Sequence, residues 1–193
     1  MTAPDLVAAL RPVLVAFNSL GVRHFIGGSV ASSAHGVARA SLDVDVVAEL
    51  EPRHVHQLVV ALQDDYYVDE ARVREAVAAR RSFNLIHLAT MFKVDVFVSR
   101  QRPIDASSFA RARYEPLGQS PDELPVPLAS AEDVLLAKLE WFRRGGDASE
   151  RQWDDVRGLL RVGRDTLDVV YLRHWASLLG VADLLERALN QTD

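Results

Sequence analysis

Apolar residues recur at helical spacing at the start of the chain: Leu6, Leu10, Val13, Phe17 and Leu20 make one stripe, with Pro4 suited to a first turn and Gly21 to a stop. Pro12 falls inside that stripe and predicts a kink or a restart. A short strand follows over Val22 to Ile26, then a small-residue helix over Ser29 to His35 with Ser29 as its N-cap. Next comes the alternating run Leu42-Asp43-Val44-Asp45-Val46-Val47, which reads as a strand. A helix is expected at Arg53 to Gln63 behind Pro52, and a short strand and then a helix over Tyr66 to Ala79. Phe83 to Leu88 and Met91 to Val98 are strands joined by a tight Ala89-Thr90 link. Ile104 to Arg113 reads as a short helix, and Tyr114 to Pro127 as loop.

The pattern changes after Pro127. Ser130 and Asp133 form a capping box that starts a helix to Arg144, which Gly145-Gly146 stops. Helices over Ser149 to Arg161, Thr166 to Leu178 and Val181 to Asn190 complete the chain. The fold class is therefore α+β: a mixed β-sheet with flanking helices in a domain over residues 1–127, then a helical region over 128–193 that packs on it.

Within this pattern a few polar residues stand where apolar ones belong. Residues two apart on a strand share a face, so Asp43 and Asp45 stand side by side, roughly 6 to 7 Å apart. Two carboxylates that close, set in a β-branched run, raise each other's pKa unless a cation sits between them. Hard carboxylate oxygens suit Mg²⁺ (or Mn²⁺). On the later strand Met91, Lys93, Asp95 and Phe97 share a face, which makes Asp95 a third acid in an apolar strand. In the helical region Ala131, Val134, Leu135, Trp141 and Phe142 define an apolar arc, and Lys138 falls near its centre. On the next helix Asp155 lies at the edge of the apolar arc, whereas Asp154 points to solvent.

Composition narrows the chemistry. The chain has 193 residues, 49% hydrophobic, and no cysteine, which rules out disulfides, thiolate metal sites and cysteine nucleophiles. Net charge is −5, so no global basic field marks a nucleic-acid binder. The opening MTAPDLVAALRP lacks the basic stretch of a secretory signal and no apolar run reaches membrane-span length, so a cytoplasmic protein without a membrane role is expected. Lysine occurs only at 93 and 138 among 22 basic residues, both site-like positions. There is no Gly-Lys-Ser/Thr of a P-loop, and Ser29 lacks the following glycine of a nucleophile elbow.

The order Gly27-Gly28-Ser29, then Asp43-Val44-Asp45, then a strand-borne Asp95 resembles the nucleotidyltransferase-fold superfamily typified by polymerase beta. Arg39-Ala40-Ser41-Leu42-Asp43-Val44-Asp45 is similar to the Arg-x-Thr/Ser-x-Asp-apolar-Asp stretch of minimal members of the abortive-infection toxin type (AbiEii-like). Lys138 and Asp155 stand where that type carries a helical lysine and aspartate. The resemblance implies a metal-dependent enzyme that moves a nucleoside monophosphate from a nucleoside triphosphate to an acceptor hydroxyl. It implies Asp43, Asp45 and Asp95 as metal ligands, with Asp95 completing a second metal position or acting as base. Gly27, Gly28, Ser29, Arg39, Lys138 and Asp155 would bind the nucleotide. A transfer-RNA end, a protein hydroxyl or a small molecule would be the acceptor, and a cognate antitoxin a partner; a binding protein of the same fold without turnover, or an interaction protein, are the alternatives. Arg143, Arg144, Arg151, Arg157, Arg161 and Arg164 offer a basic face for RNA, although acids are interleaved with them.

Overall fold

A computed structural model describes residues 3–37, 41, 43–116 and 125–191. These fall into two compact units, one built on a sheet and one wholly helical. The sheet unit contains the helices α1 (Ala3–Ser19), α3 (Val55–Leu62), α4 (Glu70–Ala78) and α5 (Pro103–Arg111). Its strands are β1 (His24–Ile26), β2 (Asp43–Ala48), β3 (Tyr66–Tyr67), β4 (Ser82–His87), β5 (Lys93–Val98), β6 (Arg113–Glu115) and β7 (Val126–Leu128). Among the described residues they form one seven-stranded mixed sheet in the order β3-β4-β5-β2-β1-β7-β6.

The two central strands, β2 and β5, run parallel, and both alternate strictly between buried and half-buried positions. Val44, Val46 and Ala48 of β2 and Val94, Val96 and Val98 of β5 are buried, joined in the core by Leu10, Val13 and Phe17 of α1 and Leu58 and Leu62 of α3. Branched side chains suit such a pleated surface, and their removal from water is the main favourable term holding the layer together. The buried Tyr66 hydroxyl ties the sheet to α1, donating to the Ala9 carbonyl at 2.6 Å. With one face of each strand committed to this core, the other face is left for polar residues.

The helical unit contains α2 (Gly28–Ala34), α6 (Ala131–Arg144), α7 (Glu150–Val162), α8 (Val169–Leu179) and α9 (Ala182–Asn190). Ser130 caps α6 by accepting from the Asp133 amide, as the capping box predicts, and Ser149 caps α7 by accepting from the Gln152 amide. The segment after α2 lies against α7: a Cβ at Gly36 would stand 2.8 Å from Val162, and one at Gly158 would stand 3.0 Å from Val37. Gly36 has φ +91°, a conformation L residues rarely adopt. Gly36→Ala is expected to destabilise the helical unit by about 1 to 3 kcal/mol, read as a lower midpoint in chemical denaturation.

Several elements differ from the sequence expectation. Helix α1 runs unbroken through Pro12. Gly28, at φ +57°, turns the chain directly into α2, so Ser29 lies inside the first turn instead of capping it. The β4–β5 link is longer than Ala89-Thr90, because the Met91 amide donates to the His87 carbonyl and the Thr90 hydroxyl pairs with His87 Nδ1. Met91, at φ +56° and 71% exposed, thus lies off the strand face. The Tyr114 to Pro127 stretch contributes strand residues to β6 and β7, each too short to show an alternation. Helix α8 begins after Thr166, because Asp168 caps it by accepting from the Tyr171 amide. Trp141 is half exposed with the Arg144 guanidinium over its ring, and the buried face of α6 is centred instead on Leu135, Lys138, Leu139 and Phe142. Among the described residues no helix is long and apolar enough to cross a membrane.

Candidate active site

The exposed-side face of β2 and β5 gathers the three acids singled out in the sequence. Parallel pairing sets Asp45 beside Asp95 and Asp43 beside Lys93. The same alternation that buries the valines leaves Asp43, Asp45, Lys93 and Asp95 half-buried on the opposite face. On β4, Asn84 stands opposite Asp95 in the register. At the neighbouring edge the Gly27 amide donates to the Asp45 carbonyl at 2.9 Å, so the chain leaves β1 right beside the acidic pair.

Lys93 is central to the electrostatics of this face. Its ammonium lies 2.7 Å from Asp95 and 3.7 Å from Asp43. The hydrogen bond to Asp95 pushes the Lys93 pKa above its ordinary value; partial burial opposes this, and the charges of Asp95, Asp43 and Asp45 add to the rise. Lysine is therefore firmly protonated here and compensates part of the carboxylate charge. The Ser41 hydroxyl adds a 2.7 Å hydrogen bond to Asp43 Oδ1. The Arg-x-Thr/Ser-x-Asp pattern gives Ser41 no role of its own, and strand periodicity puts Lys93 on the face of Asp95 without showing the ion pairs. Both contacts needed the sheet register to become visible.

In the helical unit Lys138 and Asp155 meet as an ion pair at 2.6 Å, with side chains only 7% and 8% exposed. Each therefore has an internal partner, and Asp154 is 74% exposed, as the helical arc predicts. Ser29 is buried in α2, and its carbonyl accepts from the Ser33 hydroxyl. Arg39 lies outside the described residues.

The donor chemistry of the acidic face fits a hard divalent cation. Its ligand atoms are carboxylate oxygens, two of them on neighbouring positions of one strand face and one on the adjacent strand. Among the described residues no group of three acids or imidazoles closes into a cage for a metal ion.

No family model matches the chain, and no curated protein does. Solved structures do. The antibiotic-resistance factor ANT(2'')-Ia is similar over 92% of this chain and 96% of its own, at 15% identity and TM-score 0.56. Its complex with adenylyl-2''-tobramycin is similar over 90% and 96%, at 13% identity and TM-score 0.58. An antigenic nucleotidyltransferase-like protein from Paracoccidioides brasiliensis is similar over 98% and 94%, at 16% identity and TM-score 0.53. At these identities the likeness concerns the backbone, and it establishes that the chain has a nucleotidyltransferase-like α+β fold.

Proposed function

We propose that this protein is a metal-dependent nucleotidyltransferase. The observation that carries the reading is the pairing of Asp45 with Asp95 across two parallel strands, with Asp43 on the same face, in a nucleotidyltransferase-like fold. Asp43 and Asp45 would hold Mg²⁺ or Mn²⁺, and Asp95 would complete the site or take the proton of the attacking hydroxyl. When bound, the metal would supply positive charge that stabilises an in-line displacement at phosphorus. The acceptor oxygen bonds to the α-phosphorus as the bond to pyrophosphate breaks. Gly27, Gly28, Ser29 and Arg39 contact the triphosphate, and Lys138 and Asp155 either join them or serve only to hold the helical unit together.

A small hydroxylated molecule is the acceptor class that fits best. The chain matches ANT(2'')-Ia over 96% of that protein's length, and the complex of that protein carries adenylyl-2''-tobramycin. Three of the six arginines expected to face RNA pair with acids: Arg143 with Asp147 and Asp183, Arg144 with Glu140, and Arg157 with Asp154. A transfer-RNA end or a protein hydroxyl, with an antitoxin as partner, is the acceptor reading drawn from the toxin resemblance. Lys93 among the carboxylates favours a second reading, nucleotide binding without turnover.

Incubation with α-labelled nucleoside triphosphates, Mg²⁺ or Mn²⁺, and separate pools of aminoglycosides, total RNA and cell protein tests this. Label is expected on a small hydroxylated acceptor and is expected to vanish on chelation of the metal. Label on RNA or protein moves the assignment to the toxin reading. Metal-dependent retention of the triphosphate without transfer establishes the binding reading, and neither transfer nor retention overturns both.

A further inference from the structure

We infer that Lys93 is a built-in counter-cation of the carboxylate face, one that competes with the divalent metal for Asp95 and Asp43. The inference rests on the proposed metal site and adds a residue that controls its affinity. Three observations carry it. The Lys93 ammonium is within hydrogen-bond distance of Asp95 and 3.7 Å from Asp43, so it already occupies carboxylate oxygens that a metal needs. Its backbone position is locked, because Lys93 begins β5 and pairs with Asp43 on one side and Ile86 on the other. Its side chain is 39% exposed on a flexible four-carbon stem, so the charge can swing out without disturbing the strand.

The consequence is a trade between two cations. Without metal, Lys93 spares the face the repulsion of clustered carboxylates. With metal, the ammonium has to leave Asp95, and that loss is subtracted from the metal's binding energy. Free metal alone therefore binds weakly, and a metal–triphosphate complex, which brings phosphate oxygens as additional ligands, binds well. This selects a metal that arrives with its nucleotide.

Mn²⁺ binding by the intact chain, followed by electron paramagnetic resonance without turnover, tests this with and without a non-hydrolysable triphosphate. Lys93→Gln is expected to bind free Mn²⁺ about tenfold or more tightly than the parent, the scale of removing a positive charge a few ångströms from a cation site. Lys93→Arg is expected to weaken free Mn²⁺ binding, because a guanidinium grips carboxylates in a bidentate fork. Thermal unfolding provides a second readout: Lys93→Gln loses stability without metal and gains more from added Mn²⁺ than the parent does. Unchanged or weaker Mn²⁺ binding by Lys93→Gln overturns the inference while the metal site stands, provided Asp45→Asn abolishes binding. If neither the parent nor Lys93→Gln binds Mn²⁺, with or without triphosphate, the metal reading fails and takes the inference with it. Should Lys93→Gln not fold, Lys93→Arg alone decides, since stronger binding there contradicts the competition.

Discussion

Asp45→Asn is expected to lower nucleotidyl transfer by about a thousandfold or more while leaving the protein folded. The substitution keeps the shape of the side chain and removes its charge, so it tests chemistry and spares packing. Asp45 is half-buried on β2 between two buried valines, and its backbone carbonyl accepts from Gly27 whatever the side chain. The thermal midpoint should therefore move little. Activity should move far, because metal-borne charge at the reacting oxygens is worth several kcal/mol and each roughly 1.4 kcal/mol is tenfold in rate. Asp154→Asn is the matched control, a carboxylate 74% exposed on α7. Initial rates of label transfer, measured beside circular dichroism melts of all three proteins, check the prediction. Transfer by Asp45→Asn within about threefold of the parent would remove the acidic face from the mechanism.

Lys138→Met is the second large effect, and it is expected to act on stability. The lysine is buried in α6 and its ammonium lies 2.6 Å from Asp155 of α7, itself buried. Removing one partner leaves a carboxylate uncompensated in the interior, which costs about 3 to 5 kcal/mol. For a chain of this size that lowers the thermal midpoint by roughly 6 to 20 °C. The double variant Lys138→Met/Asp155→Leu should recover at least half of the loss, because well-packed apolar groups replace a buried pair at little or no cost. A Lys138→Met protein that melts with the parent yet no longer retains a triphosphate would instead assign the lysine to the nucleotide. Lys138→Arg separates the two further, since a bulkier fork does not fit a site packed around an ammonium.

Much of the architecture was legible because it rests on contiguous residues. The alternation in Leu42 to Val47 and in Lys93 to Val98 gives both central strands and tells which side chains go to the core. Ser130 marks the start of α6 with capping chemistry that acts within one turn. Where the reading departs from the structure, the determinant is either a weak local signal or a distant contact. Strands β6 and β7 are three residues each and show no period of their own; they exist because β7 pairs alongside β1. Trp141 looked like core on a helical wheel, but only the packing of α6 shows which arc is covered.

The sequence by itself determined that Asp43, Asp45 and Asp95 stand on polar faces of apolar strands, and that Lys138 and Asp155 point inward from their helices. Those properties follow from periodicity, which the backbone imposes on neighbours in the chain. Only the tertiary structure decided that β2 and β5 are parallel neighbours in the register that sets Asp45 beside Asp95 and Lys93 beside Asp43. It also decided that the two inward charges of α6 and α7 meet each other. Strand order and helix pairing are settled by burial and hydrogen bonding between distant segments, and no local pattern encodes which distant segment will arrive. For that reason the carboxylates could be read from the sequence as polar positions in apolar strands, whereas the lysine paired with them could not.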